Sequence, residues 1–133
     1  MTARDEEILA KLRRTYEAYA RGDFDTAIEI AHPDIEFITA DGISNLRGVE
    51  QLRAWMEPET MVITTAEVEE MVLSESKVLV HQHNQGRGVT SGIEVDMHFW
   101  AVWTVNEECQ ATRVELFLDG EEAKARKVAG LGQ

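Results

Sequence analysis

The chain has 133 residues, of which 44% are hydrophobic and 29% charged. This size and composition predict a single globular domain over residues 1–133 and exclude a disordered or fibrous chain. Thirteen Lys and Arg against 25 Asp and Glu give a net charge of −12, which disfavours nucleic acid and anionic membrane surfaces as partners.

The first part of the chain has helical periodicity. Apolar residues recur every three or four positions from Asp5 to Arg21, which predicts an amphipathic helix that stops at Gly22. Asp23 is placed to cap a second, short helix, which Pro33 ends.

The next segment predicts a short strand, a turn and a third helix. Ile35 and Phe37 alternate with their neighbours as in a strand, and Asp41 with Gly42 is typical of a turn. A third amphipathic helix then opens at Gly48.

The second half of the chain is mostly extended and ends in a short helix over residues 121–129. Its β-type segments predict four consecutive antiparallel strands at Met61–Leu73, Lys77–Gly86, Ile93–Val105 and Gln110–Leu118. Helices grouped first and hairpins grouped second favour an α+β fold, with the helices on one face of a curved sheet.

Several short motifs follow one another in a familiar order. They are Leu12–Asp25, His32–Phe37, Leu46-Arg47-Gly48, Gly86-Arg87-Gly88, Ala101–Val105 and Ala129-Gly130-Leu131. This order resembles the SnoaL-like polyketide cyclase group of the NTF2-like superfamily. The resemblance implies a cone of three N-terminal helices packed on a strongly curved, mostly antiparallel sheet, enclosing one apolar pocket, usually in a homodimer joined through the sheets.

The same resemblance allows two reactions to be compared with this chain. The three acidic positions of ketosteroid isomerase fall on Thr39, Thr15 and Ala101, which lack the required carboxyl groups. The last aspartate of limonene epoxide hydrolase falls on Leu116, and Glu115 beside it points to the opposite face of its strand. Both chemistries are therefore disfavoured.

Strand alternation divides the candidate residues between two faces. Met97, Phe99 and Trp103 share one side of their strand and are expected to face the helices, whereas His98 lies on the other side. A hairpin near Gly88 to Thr90 would place His98 opposite His81, so that the histidines gather on the outer face unless a β-bulge reverses them.

The inner face predicts a pocket for a small, largely hydrophobic molecule. Its expected lining is Tyr16, Trp55, Gln82, Met97, Phe99, Trp103, Leu116 and Leu118. No catalytic residue is assigned. The candidates are Tyr16, Asp41, His81, His83 and His98, which are the titratable side chains placed at the pocket, at its rim or in strands that a bulge would turn inward.

The histidines have two interpretations. His81 and His83 point the same way and His98 lies on the neighbouring strand, so the three residues would suit a metal. Packing at a subunit interface is the favoured alternative, and the sequence therefore predicts no metal and no cofactor. Trp100, Val102 and Phe117 would leave an apolar patch on this face, which predicts a homodimer formed through the sheet.

Two functions are compatible with these features. One is a cyclase, isomerase or dehydratase that works without a cofactor, and the other is a non-catalytic binding module. Several titratable groups facing the pocket would favour the enzyme, and none would favour the binder. The absence of a signal-like start or a long apolar stretch, together with the single Cys109, predicts a cytoplasmic protein.

Overall fold

The computed structural model describes residues 2–40 and 45–131. Its helices are α1 (Ala3–Ala20), α2 (Phe24–Ala27), α3 (Val49–Met56) and α4 (Glu122–Val128), with 3₁₀ turns at Ile28–Ile30 and Asp119–Glu121. Its strands are β1 (Ala31–Ile38), β2 (Asn45–Arg47), β3 (Met61–Ser74), β4 (Lys77–Gly88), β5 (Glu94–Val105) and β6 (Ala111–Leu118).

The helix ends follow the capping residues of the sequence. Thr2 and Asp5 form a reciprocal capping box at the start of α1, each side chain accepting from the other residue's backbone N–H at 3.1 Å. After α1 the chain turns through Gly22, whose φ of +79° is accessible to glycine at little cost. The Asp23 carboxylate then accepts from the Thr26 N–H at 3.2 Å and caps α2, as the sequence predicts.

The six strands form one mixed, curved sheet in the order β2-β1-β6-β5-β4-β3. Strands β3 to β6 pair consecutively and antiparallel, as predicted, whereas β1 pairs parallel to β6. Helices α1 and α3 pack against one face of this sheet. The α+β fold class predicted from the sequence is therefore confirmed.

The first strand region differs from the sequence prediction in two places. Strand β1 begins at Ala31, before Pro33, because the second helical segment ends at Ile30. Proline is tolerated there because the β1–β6 pairing is irregular between Ala31 and Glu36. Strand β2 was not predicted, since three residues are too few to show alternation, and the predicted Asp41-Gly42 turn lies outside the described residues.

Strands β4 and β5 pair without a register shift, which fixes the two faces of the sheet. His98 lies opposite His83, and His81 lies opposite Trp100, so the predicted pairing of His98 with His81 is wrong by two residues. The hairpin is centred one residue later than expected, with a hydrogen bond from the Gly88 N–H to the Ile93 carbonyl. A shift of two residues preserves the alternation, and the three histidines lie together on the outer face.

The sheet has an apolar core on each face. The larger core lies against α1 and α3, and the smaller one lies under α4. Trp100, Val102 and Phe117 belong to the smaller core and are 1–5% exposed in the isolated chain. The apolar patch that motivated the predicted dimer is therefore covered by Ala125 and Ala129 of the chain's own C-terminal region. None of the described helices combines the length and the apolar composition that a membrane span requires.

A charge placed under α4 tests this packing. Ala125 is fully buried against the outer core, so Ala125→Asp should undock α4 and lower the free energy of unfolding by about 1–3 kcal/mol. Ala123 is exposed on the same helix, and Ala123→Asp should change stability by less than about 0.5 kcal/mol. Denaturant unfolding followed by tryptophan fluorescence measures both variants. Equal stability of the two would show that α4 does not stabilise the outer face.

Candidate functional site

The inner end of the space between α1 and the sheet is a small cavity of about 30 Å³. Helix α1 contributes Thr15, Tyr16 and Tyr19, and α3 contributes Leu52, Trp55 and Met56. Strand side chains of the inner face complete the wall, namely Phe37, Gln82, Asn84, Phe99, Trp103, Val114 and Leu116. The wall is largely apolar and contains neither a carboxylate nor a histidine among the described residues.

A buried hydrogen-bonded group lies at this inner end. The Tyr16 hydroxyl donates to Oε1 of Gln82 at 2.7 Å and accepts from Nε1 of Trp103 at 2.8 Å. Each of the three side chains is less than 8% exposed. Burial raises the pKa of Tyr16 well above its ordinary value, against the opposing effect of the Trp103 hydrogen bond, so the phenol stays neutral. This group joins α1 to β4 and β5.

Asn84 provides a polar atom without a partner. Its side chain is 3% exposed, and its Oδ1 is buried with no hydrogen-bond partner among the described residues. A buried carbonyl left unpaired costs about 1–3 kcal/mol, so such atoms are rare and often face a ligand or a water. Asn84 lines both the inner cavity and the wider cleft beside it.

That wider cleft has a volume of about 750 Å³ and opens to solvent. It shares Tyr19, Trp55, Asn84, Phe99 and Leu116 with the cavity and therefore lies directly beside it. The rest of its lining is Thr39, Ala40, Pro58, Thr60, Met61, Ile63, Met97 and Leu118, with Asp96 and His98 at the outer edge. Burial raises the pKa of Tyr19 to about 12.

The structure brings the predicted pocket residues together around this space. Tyr16, Gln82 and Trp103 line only the cavity, Met97 and Leu118 line only the cleft, and Trp55, Phe99 and Leu116 line both. Leu118 is 58% exposed, which places it at the rim.

The predicted catalytic candidates do not converge on one point. Tyr16 lies in the cavity, whereas the side chains of His81, His83 and His98 stack on the outer face, and only His98 also reaches the edge of the cleft. Asp41 lies outside the described residues.

Sequence reasoning missed several lining residues. Met61 and Ile63 share one face of β3 by alternation, and the register shift between Ile63 and Thr65 brings Ala66 onto the same inner face. Met56 follows Leu52 at helical spacing and would have been found by extending the same stripe. Nothing in the sequence indicates that Oδ1 of Asn84 is buried without a hydrogen-bond partner among the described residues.

Comparison with known proteins gives a family and a fold. A family model described as a SnoaL-like domain matches residues 12–114. No curated protein matches the chain.

Three solved structures illustrate the likeness, all under 25% identical to this chain. The epoxide hydrolase/cyclase-like enzyme SalBIII, connected with pyran ring formation in polyether salinomycin, has a TM-score of 0.76 and 13% identity, over 86% of this chain and 92% of its own. A proposed polyketide cyclase from Xanthomonas campestris has a TM-score of 0.73 and 16% identity, over 90% of this chain and 96% of its own. An NTF2-like protein from Burkholderia xenovorans has a TM-score of 0.68 and 23% identity, over 86% of this chain and 90% of its own. The fold is therefore the NTF2-like cone that the resemblance implied.

Removal of one hydroxyl tests the buried group. Tyr16→Phe should lower the free energy of unfolding by about 1–3 kcal/mol, because it leaves the Gln82 carbonyl and the Trp103 indole N–H buried without their partner. Tyr19→Phe is the matched control, since the Tyr19 hydroxyl pairs with none of the described residues and its loss should cost clearly less. Chemical denaturation measures both. Equal costs would contradict the role given to the Tyr16 hydroxyl.

Proposed function

The chain belongs to the SnoaL-like domain family, and on that premise we propose that its inner cavity and cleft bind a small, largely apolar molecule. The observation that carries the proposal is an apolar cleft of about 750 Å³ that ends at a buried, unpaired carbonyl oxygen on Asn84. Ligand pockets of this kind combine an apolar wall with a few fixed polar atoms.

The polar end of the site selects the chemistry of the ligand. The Asn84 side chain carries an acceptor oxygen and an amide NH₂ donor. Its unpaired Oδ1 would be satisfied by a ligand hydroxyl or N–H group. The Gln82 carbonyl and the Tyr16 hydroxyl already satisfy each other at 2.7 Å. The preferred ligand is accordingly an apolar skeleton with a single hydrogen-bond donor directed at Asn84.

The lining favours binding over catalysis. General acid–base chemistry needs a group that titrates near neutral pH and points at the ligand. Among the described residues the inner cavity offers only Tyr16 and Tyr19 as titratable groups, and burial keeps both phenols protonated. Thr15, Thr39 and Leu116, which occupy positions that the resemblance assigns to catalysis, line the space without a carboxyl group. A cofactor-free cyclase, isomerase or dehydratase is thus the less supported alternative.

Two probes of similar shape test the proposal. 1-Naphthol should bind about fivefold more tightly than 1-methylnaphthalene, because only the naphthol donates a hydrogen bond to Asn84. Asn84→Leu should abolish this preference, whereas Gln85→Leu, at the exposed neighbouring position on the other face of β4, should preserve it. Isothermal titration calorimetry measures the six affinities, those of two probes for the unaltered chain and for each variant.

The three tryptophans provide an internal check of where the probes bind. Trp55 and Trp103 line the proposed site, whereas Trp100 lies in the outer core. In a two-dimensional NMR spectrum, the indole N–H signals of Trp55 and Trp103 should shift on titration and that of Trp100 should not. Shifts of all three signals alike, or of none, would contradict binding at the inner site.

The homodimer and the cytoplasmic location remain predictions. The dimer now depends on the family resemblance, since α4 covers the apolar patch that first suggested it. A dimer through the sheets would use the remaining polar part of the outer face and should sediment at twice the chain mass of 15.0 kDa at micromolar concentration. Sedimentation as a single chain would contradict it.

A further inference from the structure

The outer face of the sheet carries a cluster of three histidines, His81 and His83 on β4 and His98 on β5 (the histidine cluster). The rings of His83 and His98 stack with centroids 4.1 Å apart, and the ring of His81 lies 6.1 Å from that of His98. His81 in turn stacks on Trp100 at 4.0 Å, which seats the cluster beside the outer core. The proposed ligand site on the inner face does not use these contacts.

The carboxylates of Glu69 and Asp119 lie beside the histidine cluster. Oε1 of Glu69 lies 3.2 Å from Nδ1 of His98 and 3.6 Å from Nδ1 of His81. Asp119, in the turn after β6, places Oδ1 2.8 Å from Nε2 of His81. Glu69 reaches this position because the β3–β4 register shifts between Val68 and Glu70.

Asp96 provides the third carboxylate. Its Oδ1 lies 2.6 Å from Nε2 of His83 and 3.7 Å from Nε2 of His98. Together the contacts form a continuous chain in which acidic and imidazole groups alternate, and His98 stands in the middle of it.

The cluster surrounds its imidazoles with carboxylates. Each histidine makes one hydrogen bond to a carboxylate, His81 to Asp119 at 2.8 Å, His83 to Asp96 at 2.6 Å and His98 to Glu69 at 3.2 Å. The second ring nitrogens of His81 and His98 lie 3.6 and 3.7 Å from further carboxylate oxygens, beyond hydrogen-bond distance. The neighbouring cation Arg126 is already paired with Glu70 and Glu122 at 3.0 and 2.7 Å. Three carboxylates gathered here on a chain whose net charge is −12 make an electrostatic setting that favours a bound cation.

The spacing suits a metal ion. In two groups, Glu69-His83-His98 and His81-His98-Asp119, one ligand atom from each residue lies within 4.8 Å of the others. Imidazole and carboxylate ligands are those that Zn²⁺ and related ions take, about 3.3 Å apart in a tetrahedral site. The side chains of His81, His98 and Asp119 are 21%, 40% and 59% exposed, so small rotations are available to close that difference.

The ring planes distinguish the two groups. The His83 and His98 rings are within 10° of parallel, and the lone pairs of stacked rings lie in separate planes that do not meet at one ion. The His81 and His98 rings are inclined by 39°, which allows their lone pairs to converge.

From these contacts we propose that the histidine cluster binds one divalent transition-metal ion of the Zn²⁺ type, with His81, His98 and Asp119 as its protein ligands. Glu69 then serves as an outer partner that accepts from the other ring nitrogens and orients the imidazoles. The site lies on the opposite face of the sheet from Asn84, and of its proposed ligands only His98 also reaches the edge of the cleft.

Zinc titration of the full chain, free of any affinity tag, tests the proposal. Isothermal titration calorimetry with ZnCl₂ should give one equivalent per chain with micromolar or tighter affinity. His98→Ala and Asp119→Asn should each weaken this affinity by at least about tenfold, the cost of disturbing even an outer partner of a metal site. Visible absorption of bound Co²⁺, intense for four-coordinate sites, should report the same order of affinities.

The fourth histidine supplies the matched control. His32 lies on β1, where its Nδ1 accepts from the Asp34 N–H at 3.0 Å, and His32→Ala should leave zinc affinity unchanged. Asp119→Asn changes an exposed side chain and keeps the test valid if His98→Ala fails to fold. No saturable zinc binding below 1 mM, roughly the weakest affinity of a specific site, would overturn the proposal, as would equal losses in His32→Ala and Asp119→Asn. A larger loss in His83→Ala than in His81→Ala would overturn this ligand set.

Discussion

The pairing of β4 with β5 is the constraint on which both faces of the molecule depend. The two strands pair in an unbroken register from Lys77 opposite Thr104 to Arg87 opposite Glu94. Because side chains alternate along each strand, this single register assigns Gln82, Asn84 and Phe99 to the inner face and the histidines to the outer face. A bulge within this pairing would have exchanged the two sets, and the register shifts of the described strands occur instead in the β3–β4, β5–β6 and β1–β6 pairings.

The inner face keeps its open space because a few strong contacts hold its end. Tyr16 meets Trp103 edge to face, with ring centroids 6.0 Å apart, and the same pair shares a hydrogen bond at 2.8 Å. The Tyr16 hydroxyl also reaches Gln82 on the neighbouring strand, so one side chain of α1 is fixed to two strands. Buried polar groups that satisfy one another specify a single geometry. On the solvent side of this hydrogen-bonded group, the space widens into the cleft.

The sequence predicted the features that depend on local periodicity. Helix positions, the four long strands and the faces of Phe99 and Trp103 follow from spacings of 3.6 and 2.0 residues. The pairing of His98 was wrong because a hairpin register depends on the turn geometry, which the residues from Gly88 to Ile93 do not specify by type alone.

Features that depend on long-range packing were harder to predict. The short C-terminal helix was predicted, but not that Ala125 and Ala129 would cover the outer core, since small residues give little periodic signal. The acidic run from Glu67 to Glu70 is typical of a solvated strand edge. The register shift at Val68 instead directs Glu69 to the histidines, and Glu70 pairs with Arg126. A bulge of one residue is not visible in the sequence.

The distribution of charge adds a final constraint on what the inner site accepts. The described residues that line the cavity contain no cation, and the ionisable side chains at the cleft are Asp96 and His98 at its outer edge, where Asp96 already contacts His83. An anionic ligand would lose its hydration without gaining a partner, a penalty of several kcal/mol, on a chain that carries a net charge of −12. A cationic ligand would meet the aromatic faces of Trp55 and Phe99 but no carboxylate inside the cavity. Both penalties are absent for a neutral molecule, so we expect the proposed site to favour uncharged ligands, because removing a charge from water is costly.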